Sequence, residues 1–349
     1  MESTTDVNGK WITFPPLAYN LDNRKKETTA LHVECSRNEH DKVERVCKLL
    51  ESVGCNIKNN FGETALHLEL ANKTPNYKVV KLLLENKANA IDTEMDKKTC
   101  LHVYCSNRAV DLEILKLLVE SVGVLDIGDR EKRTPLLTLC LNPSATVELV
   151  EFMISRGSSL LAVEGYHKRN CLQCACSAAN LPLIKYFIEK KNFNVFIVDF
   201  DSMSAFRNLI HSSYLTSRKE NTLLHILCSS KDPTLEALKY LLSFAFEIDE
   251  LNEYEHTPLL LACNPRMNFE VISTLMREGA SVLRLLEYYK SIFSSSNWRK
   301  NPLFFRMLLQ GFCVASREAN NFDSLKNSFK LGKRFSCYFA FQSTETVLS

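Results

Sequence analysis

A four-residue segment recurs seven times along the chain, and its spacing constrains the fold more than any other feature. The third residue of the segment is leucine in every copy, and the first is threonine in all but one. The intervals between the first residues are 35, 35, 35, 36, 52 and 35. A period of this length predicts a solenoid, because one repeat cannot bury its apolar face until a neighbour stacks on it. The copies begin at Thr29, Thr64, Thr99, Thr134, Asn170, Thr222 and Thr257.

Each copy is followed by a pattern that predicts two helices. A short apolar stretch leads into a polar turn, and a second apolar run such as 79–84 comes after it. The leucine and the residue four positions further on share a helical face, so both should point into the stack. The opening threonine should cap the first helix through its hydroxyl. In the sixth copy, Asp232 and Pro233 fit an N-cap and the first residue of the second helix.

These segments resemble the ankyrin repeat, whose family pattern opens the first helix with Thr-Pro-Leu-His and continues with Val-Val-x-Leu-Leu-Leu in the second. Residues 79–84 match that second element residue for residue, and the resemblance covers roughly Asp22 to Ala280. It implies an all-α solenoid of stacked helix pairs joined by β-hairpin-like loops, with a non-catalytic binding surface. The chain departs from the family in its longer period. The extra residues lie between the two helices, as in 72–76, where the family keeps a glycine.

The repeats also predict how the chain is divided. Trp11, Phe14 and Leu17 are expected to cover the first repeat as part of a cap, and the long fifth interval suggests a degenerate half-repeat that breaks the curvature. The predicted regions are an N-terminal cap (1–26), the repeat array (27–290), a degenerate insertion within it (193–217), a degenerate repeat or C-terminal cap (291–319) and a tail for which disorder is one interpretation (320–349).

Bulk properties narrow the class of partner. The chain has 43 basic and 41 acidic residues, a balance that argues against a nucleic-acid binder. It contains no apolar run long enough for a membrane span, and its polar N-terminus does not resemble a signal peptide. Thirteen cysteines in such a chain are expected to be reduced thiols. We therefore expect an intracellular, monomeric protein of the cytoplasm, with the nucleus left open, and without a membrane or nucleic-acid partner.

The cysteines and histidines follow the repeat, which favours a structural role. Six cysteines each stand six residues after the opening of a repeat, where a small apolar side chain is expected to pack. The run Cys171-x-x-Cys174-x-Cys176 resembles half of a metal site but lacks a second pair of ligands, so a metal is only a minor alternative. The resemblance implies that the histidine in the fourth position of the repeat is a structural hydrogen-bonding group. We predict no catalytic residue, no cofactor and no metal site. The six cysteines are Cys35, Cys105, Cys140, Cys176, Cys228 and Cys263, and the histidines are His32, His67, His102 and His225.

The resemblance implies that partners contact the hairpin tips and the exposed face of the first helices. Several tips carry large apolar groups, which are typical interface anchors. Packing against the neighbouring hairpin explains any one of them equally well. The acidic tip over 247–255 would either steer a basic peptide or keep that edge soluble. The candidate contact residues are Asn60, Phe61, Met95, Asp96, Arg130, Glu131, Tyr166, Glu253 and Tyr254.

The sequence therefore predicts a scaffold that binds a protein partner through hairpin tips and a concave helix face, without enzymatic activity. One alternative is a substrate adaptor of a larger assembly such as a ubiquitin ligase, which would need a recruiting element in the C-terminal region. Another is a cysteine-based redox sensor or enzyme, which would need an exposed and reactive thiol.

Overall fold

The structure, a computed structural model, describes residues 28–39, 41–165, 168–196, 221–263 and 268–281, together with a short strand pair near the N-terminus. The chain divides into two units, one comprising residues 1–246 and 251–255 and the other 247–250 and 256–349. The predicted capping residues Phe14 and Leu17, most of the insertion 193–217, and the regions 291–319 and 320–349 lie outside the described residues. These predictions therefore remain predictions.

The first unit contains six helix pairs within its described residues, preceded by an antiparallel strand pair, β1 (Thr4–Thr5) and β2 (Trp11–Ile12). The first helix of each pair is α1 (Ala30–Ser36), α3 (Ala65–Ala71), α5 (Cys100–Cys105), α7 (Pro135–Cys140), α9 (Cys171–Ser177) and α11 (Leu223–Ser229). The second helix of each pair is α2 (Val43–Leu50), α4 (Tyr77–Glu85), α6 (Leu112–Ser121), α8 (Val147–Ser155), α10 (Leu181–Lys185) and α12 (Leu235–Leu242). Helix α10 continues into a single π-helical turn over Tyr186–Lys190.

The second unit contains one helix pair within its described residues, α13 (Pro258–Ala262) and α14 (Phe269–Arg277). The predicted all-α solenoid of helix pairs is thus confirmed. One boundary was predicted wrongly, because α12 begins at Leu235 and not at Pro233. Thr234 is the N-cap, and its hydroxyl accepts a hydrogen bond from the backbone N–H of Ala237 at 3.4 Å. The threonine provides the cap that the sequence pattern assigned to Asp232.

The first helices of the first unit contact one another in sequence, from α1 through α3, α5, α7 and α9 to α11. The leucine in the third position of each repeat is buried in this stack, as predicted from its spacing. The contact between α9 and α11 shows that the fifth and sixth repeats stack directly, although the insertion lies between them in sequence. The buried leucines are Leu31, Leu66, Leu101, Leu136, Leu172, Leu224 and, in the second unit, Leu259.

The histidine of the repeat completes the cap at the start of the first helix. In the first repeat, the backbone N–H of Thr29 donates to Nδ1 of His32 at 3.1 Å, and the hydroxyl of Thr29 lies 2.8 Å from the same nitrogen. Since Nδ1 accepts, the proton of the neutral ring is on Nε2. Nε2 then donates to the carbonyl of Glu63 in the next repeat at 3.1 Å. His102 makes the equivalent bond to the carbonyl of Arg133 at 2.8 Å, so each of these rings ties one layer to the next.

A second set of bonds crosses the layers at the turn between the two helices, where the extra residues of the 35-residue period lie. The side-chain amide of Asn107 donates to the carbonyls of Leu70 and Asn72, at 2.9 and 2.5 Å. The amide of Asn142 donates in the same way to the carbonyls of Cys105 and Asn107, at 3.0 and 2.5 Å. These carbonyls belong to the end of a short helix, where the helix itself supplies no donor. We call the set of Asn72, Asn107 and Asn142 the asparagine ladder.

The first layer of the ladder contains a buried ion pair. The ammonium of Lys42 lies 2.5 Å from Oε2 of Glu69, and the two side chains are 1% and 0% exposed. The same ammonium donates to the carbonyls of Cys35 and Arg37, which Asn72 also contacts. Burial raises the pKa of the Glu69 carboxyl, and the contact with Lys42 opposes that shift. The Lys42 ammonium therefore has three oxygen neighbours, the kind of compensation that a buried charge requires.

We expect the asparagine ladder to contribute measurably to stability. Replacing Asn107 or Asn142 by alanine leaves two carbonyls of the preceding repeat without a donor, and each substitution should lower the free energy of unfolding by about 1–3 kcal/mol. Urea unfolding of the purified chain measures this change. Asn86→Ala is the matched control, because its exposed side chain bonds only to Leu82 of its own helix and its loss should cost under about 0.5 kcal/mol. Equal losses in all three variants would contradict the role of the ladder.

The buried histidines predict a loss of stability in mild acid. Burial lowers the pKa of His32, His67 and His102 below the ordinary value of 6.5. The unfolded chain therefore binds protons first as the pH falls through about 6.5, and stability decreases until the folded-state pKa is reached. We expect the triple variant His32→Gln, His67→Gln, His102→Gln to lose this slope between about pH 8 and about pH 5, as measured by urea midpoints.

The chain itself shows that glutamine can occupy the position of the histidine. The fifth repeat has glutamine in place of histidine, and Oε1 of Gln173 accepts from the backbone N–H of Asn170 at 3.0 Å. Glutamine therefore keeps the cap and cannot be protonated in this range. A triple variant with an unchanged pH slope would show that other groups govern acid stability.

Candidate protein-binding surface

Two of the tips that connect successive repeats are tight turns held by one polar side chain each. In the tip before the fourth repeat, Oδ1 of Asp129 accepts the backbone N–H groups of Glu131 and Arg133, at 2.8 and 2.9 Å. Asn59 plays the same role before the second repeat, where it accepts from Phe61 and Glu63 at 2.9 Å each. An Asn or Asp side chain that bonds its own following backbone is typical of such turns. The tips are therefore fixed locally before any partner arrives.

Neighbouring tips are also bonded to each other through the backbone. The N–H of Met95 donates to the carbonyl of Phe61 at 2.9 Å, and that of Arg130 donates to Asp96 at 2.8 Å. The N–H of Gly165 completes the series with a bond to Glu131 at 2.7 Å. The tips before the second, third, fourth and fifth repeats thus form one continuous edge, which we call the tip edge. A surface ordered in this way loses little conformational entropy on binding.

The structure places most of the predicted contact residues on the surface. Met95 and Tyr254 are 66% and 59% exposed, and the Arg130 side chain is 76% exposed. Asn60, Asp96 and Glu131 are exposed, whereas Phe61 and Glu253 are only partly so. Tyr166 lies outside the described residues. The tip edge brings residues 60–61, 95–96 and 130–131 together, and 253–254 belong to a separate tip of the same unit.

Charge is concentrated where the third and fourth tips meet. A cleft of about 390 Å³ lies there, and every residue that lines it is charged. The guanidinium of Arg133 pairs with Asp129 at 3.1 Å and with Glu131 at 3.0 Å. Arg130 reaches Asp96 of the neighbouring tip at 3.7 Å. These pairs cross the cleft and keep its fixed charges partly compensated. The cleft is lined by Asp96, Lys98, Asp129, Arg130, Glu131 and Arg133.

The first helices provide a second accessible face. Val33, Leu68, Val103 and Thr138 occupy the fifth position of their repeats and are partly exposed, one on each successive helix. Three residues further along, Ser36, Ala71 and Ser106 lie on the same side of the helix and are exposed. This row is apolar to weakly polar and contains no ionisable group. The row offers surface area for contact with a partner and no group suited to catalysis.

The six cysteines of the repeat lie in the stack, as their spacing predicted. Burial raises the pKa of Cys105 to about 12, and raises the pKa of Cys140 and Cys174 as well, so the thiolate form is disfavoured. Cys47 is the exposed cysteine among those that the structure describes. Within the same residues, no group of three or more His, Cys, Asp or Glu side chains is placed to hold a metal ion. The buried thiols with raised pKa values are therefore poorly suited to nucleophilic chemistry.

The acidic segment 247–255 is partly structural. Both carboxylate oxygens of Asp249 accept from the backbone N–H of Ser281, at 2.8 and 2.9 Å, within the second unit. Asp126 makes the equivalent contact with Ser159 in the first unit, at 3.1 Å to each oxygen. An acidic residue at this position therefore ties one loop to the next. These hydrogen bonds within the fold account for the acidic residue without a partner molecule.

Two sets of recurring residues were missed by the sequence analysis. The asparagine ladder repeats at intervals of 35 residues, from Asn72 to Asn107 to Asn142. Lysines also recur two residues before the opening residue of the third, fourth and fifth repeats, at Lys97, Lys132 and Lys168. The register of the leucines places the members of each set at equivalent positions of successive repeats, so the same periodicity is the signal that identifies them.

Comparison with known proteins agrees with this geometry. Residues 68–163 match a family model that describes ankyrin repeats, in three copies. Residues 68–163 therefore contain ankyrin repeats, as the resemblance in the sequence predicted. Among solved structures, the crystal structure of the ankyrin repeat domain of Bcl-3 is similar at 21% identity and a TM-score of 0.45, over 72% of this chain and 98% of that one. No curated protein sequence matches the chain at a significant level.

The close approach of two tips predicts a glycine requirement at position 165. A Cβ atom added to Gly165 would lie 2.9 Å from the carbonyl oxygen of Glu131 and 3.1 Å from the Cβ of Lys132. Gly165→Ala should therefore push the fourth and fifth tips apart and lower the free energy of unfolding by roughly 1–3 kcal/mol. Gly123→Ala is the control, because nothing lies within 4 Å of its added Cβ. Urea unfolding of both variants gives the comparison, and a Gly165 variant as stable as the control would show that the tips do not touch.

Proposed function

We propose that this chain is a scaffold that binds a protein partner through the tip edge and the accessible face of the first helices. Ankyrin repeats generally act as protein–protein interaction modules. The observation that carries the proposal is a pair of well-exposed side chains, Met95 and Arg130, on tips that are bonded to their neighbours through the backbone. Methionine and arginine are enriched in protein interfaces, and a rigid support lowers the entropic cost of using them.

Other functions receive less support from the described residues. The buried thiols with raised pKa values do not favour a cysteine-based enzyme or redox sensor. No described helix has the length and apolar character that a bilayer crossing requires. The adaptor function would depend on a recruiting element in the C-terminal region, which lies outside the described residues. We therefore propose a binding function without catalysis, cofactor, membrane or nucleic acid.

Affinity capture with mass spectrometry tests this proposal. The triple variant Met95→Ala, Arg130→Ala, Tyr254→Ala removes three exposed tip side chains and should reduce recovery of the captured partner at least tenfold. Truncation of interface anchors typically costs more than about 1 kcal/mol each. The control variant Tyr77→Ala, Lys48→Ala removes exposed side chains from the second helices and should retain the partner.

The readout must separate binding from folding. Exposed substitutions change stability by no more than about 0.5 kcal/mol, so both variants should unfold at nearly the same urea concentration as the parent chain. Full recovery of every partner by the tip variant would show that the tips are not the binding surface. Loss of partners by the control variant alone would place binding on the second helices.

A further inference from the structure

The first five repeats are joined by side-chain amides that donate to backbone carbonyls of the preceding repeat. The asparagine ladder supplies these amides at the first three junctions between repeats. At the fourth junction the amide of Asn180 donates to the carbonyls of Pro143 and Ala145, at 3.3 and 2.8 Å. Each junction from the first to the fifth repeat therefore has a polar bond between side chain and backbone in addition to its apolar packing.

The fifth repeat ends its first helix without a donor from the next repeat. Helix α9 is followed by Ala179, whose φ of 52° lies in the left-handed region. The backbone N–H of Ala179 donates to the carbonyl of Cys176, and that of Asn180 donates to the carbonyl of Ala175, each at 3.0 Å. This pair of bonds around a left-handed residue is the Schellman motif, which satisfies the last carbonyls of a helix locally. The end of α9 is thus complete within its own repeat.

The sixth repeat in turn has no asparagine at the position of the ladder. Ser230 stands eight residues after Thr222, the same interval that separates each ladder asparagine from the opening threonine of its repeat. Ser230 is 5% exposed, and its hydroxyl oxygen has no hydrogen-bond partner. At the start of α9, Nε2 of Gln173 is also without a partner, whereas Nε2 of His32 and of His102 bonds to the next layer. The side chains that tie other layers therefore make no such bond between the fifth and sixth repeats.

Apolar packing and exposed contacts hold this junction instead. Helices α9 and α11 contact each other, and Leu172 and Leu224 are fully buried in them. On the side of the second helices, the hydroxyl of Tyr240 donates to the carboxylate of Glu189 at 2.8 Å. Glu189 is exposed. A hydrogen bond that water can replace adds little to stability, so this contact does not substitute for the buried amide bonds of the other junctions.

The stability of a repeat stack is a sum of the repeats' own terms and the contacts between neighbours. A junction with weaker contacts therefore divides the stack into parts that open separately. Each bond between an amide and a carbonyl changes such an opening equilibrium by between about twofold and about tenfold. We propose that the first unit has a boundary of this kind between the fifth and sixth repeats, at which the sixth repeat opens while the first five stay folded.

This inference goes beyond the proposed binding function and does not depend on it. The first five repeats form one cooperative part, which we call the five-repeat block. All tips of the tip edge belong to this block, because they precede the second to fifth repeats. Opening at the boundary therefore exposes the apolar faces of α9 and α11 and leaves the tip edge intact. A partner bound to the tip edge stabilises the block without holding the sixth repeat closed.

The buried cysteines of the repeats report on the opening of individual layers. Cys105, Cys140 and Cys228 occupy the same position of the third, fourth and sixth repeats and are fully buried. The full chain is treated with iodoacetamide, and the modification of each cysteine is followed by peptide mass spectrometry. Each rate is divided by the rate for the same cysteine in the urea-unfolded chain. We expect Cys228 to react at least about tenfold faster than Cys105 and Cys140, because only the sixth repeat must open. Equal corrected rates would overturn the inference.

The urea dependence of these rates measures the size of each opening part. Below the unfolding transition, the free energy of opening falls with urea more steeply when the opening exposes more surface. We expect Cys105 and Cys140 to share one steep slope and Cys228 to have a shallower one. Three equal slopes would show a single cooperative stack. A steady decrease from Cys105 through Cys140 to Cys228 would show gradual fraying without a boundary, which also contradicts the proposal.

A matched pair of substitutions tests the boundary directly. Leu172→Ala and Leu224→Ala remove the same fully buried leucine from the repeats on either side of it. Each is read at the cysteine two repeats earlier, so the distance from the substitution is the same. Leu172→Ala should speed the modification of Cys105 at least about tenfold, because both residues belong to the five-repeat block.

Leu224→Ala lies beyond the boundary and should leave the modification of Cys140 within about twofold of the parent rate. This reading holds even when the substitution unfolds the sixth repeat completely, since Cys140 reports only on the block. Acceleration at Cys140 as large as that caused by Leu172→Ala at Cys105 would show that the fifth and sixth repeats open together. The boundary would then be absent.

Discussion

The stack depends on satisfying the backbone polar groups at the ends of its short first helices. These helices are only five to seven residues long, so most of their carbonyls have no partner within the helix. The asparagine ladder supplies that partner from the next repeat, with amide-to-carbonyl distances of 2.5 to 3.4 Å. Helices α1, α3 and α5 therefore gain these partners only when the next repeat is present. The longer period follows from this requirement, since the asparagines occupy the enlarged turn between the two helices.

The opposite ends of helices α1 and α5 are coupled to the next layer in a similar way. Nε2 of His32 bonds to the carbonyl that precedes the second repeat, and His102 bonds to the carbonyl that precedes the fourth. The backbone bonds of the tip edge continue the coupling outward to Met95 and Arg130. Polar contacts therefore join the layers at both ends, and the buried leucines join them in the middle. This is the arrangement that makes the tips a fixed surface rather than a set of independent loops.

Sequence reasoning identified the residues whose type and register already indicate a buried position, and it missed the polar side chains that act between layers, such as the asparagine ladder. The buried leucines and cysteines follow from register and residue type, whereas the hydrogen-bonding role of the histidines came from the resemblance to the ankyrin repeat. The ion pair of Lys42 and Glu69 does not follow from register, because the two residues come from different repeats and no other repeat contains such a pair in the described stack. The prediction that the second helix of the sixth repeat begins at Pro233 failed for a local reason. Thr234, and not Asp232, is the N-cap of this helix. The exposure of the tip candidates could be predicted only in part, because Phe61 is half covered while Met95 is not.

Strain alone does not mark a binding residue in this protein. Lys87 adopts the same left-handed conformation as the tip lysines, but it lies just after the end of helix α4. Helices commonly end with a residue in this conformation. What distinguishes Lys97, Lys132 and Lys168 is that the conformation recurs at one position of three consecutive repeats, on tips that are bonded together. Glycine at that position would be more stable in isolation, as Gly62 illustrates. A lysine at this position also makes contacts within the fold that glycine would lack, since the stem of Lys132 lies against Gly165 of the neighbouring tip.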